Sequence, residues 1–134
     1  MSARTRKPKG MTLKDAFETE FARREAERRE REEAERKQQE QDLANAEALY
    51  AAATADPKFL AERELIADRR RYTVSLDHKN FRIAAYFEAG AASVTLSDKR
   101  SAMAGAATPR KQETAQSVED ALKVMAQFLA DEAR

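Results

Sequence analysis

Metal ligation and covalent catalysis draw mainly on histidine, cysteine and carboxylates at set spacings, and this chain is poor in the first two. His78 is its single histidine, and it has no cysteine. Disulfides, thiolate metal sites and cysteine nucleophiles are therefore excluded, and one imidazole cannot make a histidine-based metal site. His78 lies in Asp77-His78-Lys79-Asn80, a run with the composition of a hairpin turn, where it reads as a polar turn residue rather than a base. Carboxylates are abundant, but most recur among arginines at i, i+2 to i+5, the spacing of a solvated helix rather than a catalytic dyad. No Glu-x-x-His pair supports a di-metal carboxylate bundle. With three glycines in the chain, neither a phosphate-binding loop nor a dinucleotide fingerprint can be written. The expectation is a non-catalytic chain with no cofactor, no metal and no small-molecule substrate.

Two other groups of residues stand out by type and place. Phe17 and Phe21, with Leu13, form an apolar stripe at i, i+4, i+8 on an otherwise charged segment. Large apolar groups placed this way point to capture of another protein or of a second copy of the chain. The second group is basic: Arg69, Arg70 and Arg71; Lys79 and Arg82 beside a turn; and Lys99, Arg100, Arg110 and Lys111 around a long polar segment. Lysines and arginines on loops around a small sheet can neutralise phosphates. The acids Asp68, Asp77, Asp98 and Glu113 accompany them, as on an ordinary solvated surface.

The elements that must carry these residues follow from periodicity. Residues 1–10 hold four basic side chains and no acid, with almost nothing apolar, and read as a disordered basic tail. Thr12 can cap a helix, with Asp15 three residues on. From there to residue 55 there is no glycine or proline, and alanine, glutamate, arginine, glutamine and leucine dominate. Glutamate precedes a base by four residues at Glu20/Arg24, Glu25/Arg29, Glu27/Arg31, Glu32/Arg36 and Glu33/Lys37, each pair worth roughly 0.2–0.5 kcal/mol. Residues 11–55 are thus expected to form one long charged helix. Residues 23–42 offer only Ala26 and Ala34 as apolar positions, which favours a solvated helix over a weak coiled coil. Leu43, Ala46, Leu49, Tyr50 and Ala53 form a second stripe, suited to docking on the C-terminal domain.

Asp56-Pro57 reads as a new N-cap and N1, with Phe59, Leu60, Leu65, Ile66 and Ala67 giving a helix that closes on Arg69-Arg70-Arg71. The period then becomes two: Tyr72, Val74 and Leu76; Phe81, Ile83, Ala85 and Phe87; Val94 and Leu96. This predicts a three-stranded antiparallel meander. Residues 98–116 read as a mobile loop, and Ser117 caps a last helix. The fold class expected is α+β: a long charged helix, then a compact α-β-β-β-α domain over 56–134, self-sufficient from residue 57. That order resembles the element order of double-stranded-RNA-binding domains, with His78-Lys79-Asn80-Phe81 and Arg110-Lys111 in comparable places. The chain departs from that pattern in lacking most of the loop glycines and in having Gln112, Glu113 and Thr114 where lysines would open the last helix.

The 134 residues carry a net charge of +1, unevenly spread. Residues 11–56 have eight basic and thirteen acidic side chains, and residues 57–134 have thirteen and eleven. No apolar run approaches the roughly 20 residues that span a bilayer, and no apolar stretch follows the basic N-terminus as in a secretory signal. A cytoplasmic protein-interaction, scaffolding or adaptor protein is the expectation. The alternative is a nucleic-acid-binding accessory protein using the basic loops and tail.

Overall fold

The structure, a computed structural model, describes residues 10–100 and 108–133. The basic tail (residues 1–9) and the middle of the expected loop (residues 101–107) lie outside them. The chain divides into two compact units, Met1–Lys37 and Gln38–Arg134, and helix α1 (Leu13–Ala53) contributes to each.

In the first unit the helix starts as the capping pattern predicts. The Asp15 amide donates to Thr12 Oγ1 at 3.1 Å, and the Ala16 amide donates to the Thr12 carbonyl at 3.0 Å. From Leu13 to Lys37 only Glu20 and Glu25 are even half-buried, and charge pairs lace the surface. Glu20–Arg24 and Glu33–Lys37 pair at i, i+4. Arg23 joins Glu20 to Glu27, and Arg28 joins Glu25 to Glu32.

The second unit is a five-stranded antiparallel sheet in sequential order: β1 (Ile66–Arg70), β2 (Thr73–Asp77), β3 (Phe81–Glu88), β4 (Ala91–Asp98) and β5 (Thr108–Ala115). The three-stranded expectation is corrected at both edges. Residues 57–71 are not one helix. Helix α2 covers only Pro57–Glu62, capped by Asp56, whose carboxylate accepts from the Phe59 amide at 3.1 Å. A Schellman closure ends it: the Leu65 amide donates to the Leu60 carbonyl at 2.9 Å and the Glu64 amide to that of Ala61 at 3.1 Å. Glu64 takes the left-handed position with φ of 58°, a place where glycine is the usual signal. Leu65 turns into the core, and Ile66–Arg70 pairs with β2.

At the other edge, Thr108–Ala115 pairs with β4 through a register shift between Leu96 and Ser97. Edge strands show little apolar alternation, and this one carries a proline and charges that suit an unpaired side. The α-β-β-β-α order therefore does not hold, and the likeness to double-stranded-RNA-binding domains falls with it.

One face of the sheet builds the core from Val74, Leu76, Phe81, Ile83, Ala85, Phe87, Ala92, Val94 and Leu96. Helix α3 (Val118–Glu132) covers it with Ala121, Val124, Met125 and Phe128, after Ser117 caps the helix by accepting from the Asp120 amide. Ala46 and Leu49 of α1 are also fully buried in this core, with Tyr50 and Ala53 packed against it. The second apolar stripe of α1 thus belongs to the sheet unit.

Candidate interaction surfaces

The aromatic stripe lies in the first unit. Leu13, Phe17 and Phe21 are 86%, 60% and 53% exposed, and the two phenyl rings stack on each other with centroids 5.5 Å apart. An i, i+4 spacing brings the rings together, but most of their surface remains in water. Beside them Glu20 accepts hydrogen bonds from Arg23 and Arg24, which lower its carboxyl to about 2. Arg28 holds Glu25 low and Arg36 holds Glu33 low by the same means.

The basic residues lie in the sheet unit, at two ends of it. Strand register puts Arg70 opposite Thr73, which pairs with Tyr86, so Arg69, Arg70 and Arg71 are at one end. Arg82 and Lys99, with Lys79 in the neighbouring turn, are at the other. Most of these cations face an acid. Asp77 receives Arg82 at 2.9 Å and Lys99 at 3.0 Å. Arg100 joins Asp98 to Glu132, each at 3.1 Å. Arg110 reaches Glu132 at 3.2 Å and Lys111 reaches Asp131 at 2.6 Å. Arg69 and Arg70 sit 3.9 Å from Glu47 and 3.6 Å from Asp68. Arg100 holds Asp98 below the usual carboxylate range by backbone and side-chain hydrogen bonds. Besides these carboxylates of the same unit, Lys99 Nζ donates to the His78 carbonyl at 2.9 Å and the Arg69 guanidinium to the Arg71 carbonyl at 3.2 Å. His78 is engaged within its turn: Nδ1 accepts from the Asn80 amide at 3.0 Å, and the ring stacks on Phe81 at 4.5 Å.

Two features escaped the sequence reading. The first is Asp42, 4% exposed, whose carboxylate accepts from the Ala89 amide at 3.0 Å and the Gly90 amide at 2.9 Å. Those amides belong to the two-residue turn between β3 and β4, where both residues have positive φ. A carboxylate at i relative to Ala46 (i+4) and Leu49 (i+7) was the available signal. The second is an apolar groove of about 380 Å³ where the end of α1, α2 and α3 meet. Phe59, Leu60, Met125 and Leu129 form its sides, and Ala126 and Ala130 keep it open. Alanines at i and i+4 on α3 gave the hint, but nothing in one sequence shows what stands opposite them.

Comparison with protein-family models, with curated proteins and with solved structures found no match to this chain. Among the described residues, no helix is long and apolar enough to cross a membrane.

Proposed function

We propose that this chain is a non-catalytic protein-interaction or scaffolding protein of the cytoplasm. Its N-terminal helix captures a partner, and the α+β unit is the folded body that carries it. The observation behind this reading is the stripe of Leu13, Phe17 and Phe21, more than half exposed on a helix otherwise covered by ion pairs. Burying such a side chain is worth roughly 1.5–3 kcal/mol, so a helical partner laid along the stripe gains affinity from few contacts. Sedimentation velocity of the full chain, alone and with candidate partners, tests it. Phe17→Ala with Phe21→Ala is expected to abolish association while the near-ultraviolet signal of the sheet unit stays unchanged. Association that survives the double substitution would sink the reading.

Phosphate contact through the basic loops has weaker support. Their cations lie at two ends of the sheet and mostly face carboxylates. The expected result of titrating the chain with DNA or RNA at low salt is no salt-dependent binding.

A further inference from the structure

We propose that the face of the sheet turned away from its helices carries a binding site for a saccharide, formed by Asp68, Arg70, Thr73, Ser75, Asp77 and Arg82. The site lies wholly within the sheet unit and is independent of the stripe of Phe17 and Phe21.

Strand alternation assembles it. Register sets Asp68 opposite Ser75, Arg70 opposite Thr73 and Asp77 opposite Arg82. All six side chains therefore stand on one face, while Val74 and Leu76 between them turn into the core. Together the six line a concavity of about 470 Å³, within the roughly 300–1,000 Å³ of small-molecule sites.

Ser75 marks this concavity as more than surface relief. It is 3% exposed, and its hydroxyl has no hydrogen-bond partner among the described residues. A buried hydroxyl without a partner costs stability, and this one faces the concavity. A polar ligand lying over Ser75 supplies the missing bond.

The lining defines the ligand's chemistry. Two carboxylates and two guanidiniums balance in charge. Asp77 already faces Arg82 at 2.9 Å and Lys99 at 3.0 Å, so a metal ion or an amine meets cations there. A polyanion meets Asp68 and Asp77. Asp68 and Arg70 are held loosely, 3.6 Å apart, and the Arg70 side chain is 89% exposed. Both are free to turn toward a ligand. Adjacent hydroxyls of a sugar match this set: their O–H groups donate to Asp68, their oxygens accept from Arg70 and Arg82, and Thr73 and Ser75 can bond in either sense. Tyr86, exposed and opposite Thr73, sets an aromatic ring beside the concavity, a surface against which the C–H face of a sugar ring packs.

Titration of the isotope-labelled full chain tests the assignment, with amide shifts as the readout. The probes are glucose, galactose, mannose, N-acetylglucosamine and maltose, with glycine and inorganic phosphate beside them. At least one sugar is expected to shift the amides of Thr73, Ser75 and Ala84 saturably, with a Kd of about 1 mM or below. Ser75→Ala and Asp68→Ala are each expected to weaken that binding more than about tenfold. Gln112→Ala, at the far edge of the same face, is expected to leave it unchanged. Thermal unfolding separates a ligand role from a structural one. Without sugar, Ser75→Ala is expected to melt at or above the wild-type temperature, because the hydroxyl it removes has no partner. A lower melting temperature for Ser75→Ala would assign the hydroxyl to the fold and overturn the site. Saturable shifts with glycine or phosphate and with no sugar would overturn the saccharide class. The absence of saturable shifts with every probe, or undiminished sugar binding by Ser75→Ala, would overturn the site as well.

Discussion

Asp42 lies on the part of α1 that belongs to the sheet unit, and it holds the turn between β3 and β4. Its carboxylate, itself buried, satisfies the amides of Ala89 and Gly90, in a turn where Ala89 is exposed and Gly90 half-buried. Asp42→Ala is expected to lower stability by about 1–2 kcal/mol, since water can reach part of the turn, and Asp42→Asn, which keeps one acceptor oxygen, by less. Urea unfolding of the full chain measures both, and an unchanged midpoint for the alanine variant would contradict the assignment. Glu64 is the opposite case. It stands at φ of 58°, where a β-carbon is disfavoured, so Glu64→Gly is expected to stabilise by about 0.5–1 kcal/mol. A lower midpoint for that variant would show that its side chain, 3.9 Å from His78 Nε2, contributes more than the strain takes away. The capping side chains Thr12, Asp56 and Ser117 were legible from sequence because a cap is a local device. Asp42 was not, because its partners lie 47 and 48 residues away.

At the scale of elements, the charged helix has a pH dependence whose sign is defined. Arg23 and Arg24 hold Glu20 at about 2, from an ordinary value of 4.5, and Glu25 and Glu33 are lowered in the same direction. A carboxyl lowered in the helix stabilises it fully above its unfolded value and stops doing so as pH falls through the folded one. A peptide covering residues 11–37 should therefore keep constant helicity from neutral pH down to about 5 and lose helicity between about 4.5 and 2. Circular dichroism across that range is the check. Helicity that rises on acidification would mean that glutamate–glutamate repulsion, not the arginine pairs, governs this helix. The elements missed in the sequence are both edge strands, and they were missed for different reasons. β1 was hidden by a helix that stops without glycine, so that Leu65 and Ile66 extended the apolar face of α2 on paper. β5 was hidden by polarity. Among its residues of described burial Ala115 alone joins the core, and Lys111 lies with its ammonium 5.7 Å from the Phe128 ring and paired to Asp131. Central strands β2, β3 and β4 were legible because each buries one face and shows it as alternation.

At the scale of the whole molecule, the compact unit that holds the sheet begins inside α1, at Gln38. Leu49 has no exposed surface, so Leu49→Ala is expected to cost about 2–4 kcal/mol through the cavity it leaves. A fragment starting at Ala55 lacks Ala46, Leu49 and the Asp42 carboxylate together, and is expected to bind ANS and unfold without cooperativity. A fragment starting at Gln38 is expected to fold. Cooperative unfolding of the shorter fragment would show that α3 alone suffices to cover the sheet. By itself the sequence determined a helical run within 11–55, the three central strands, the capped last helix and an aromatic stripe at i, i+4, i+8 on the charged helix. Each of these is set by propensity, period or capping within a few neighbouring residues. Tertiary structure alone decided that the sheet has five strands, that Asp42 holds a distant turn, that the basic residues are divided between two ends of the sheet, and that three helices enclose a groove. Edge pairing, carboxylate–amide contacts and grooves join segments far apart in the chain, and no local pattern records which segments will meet.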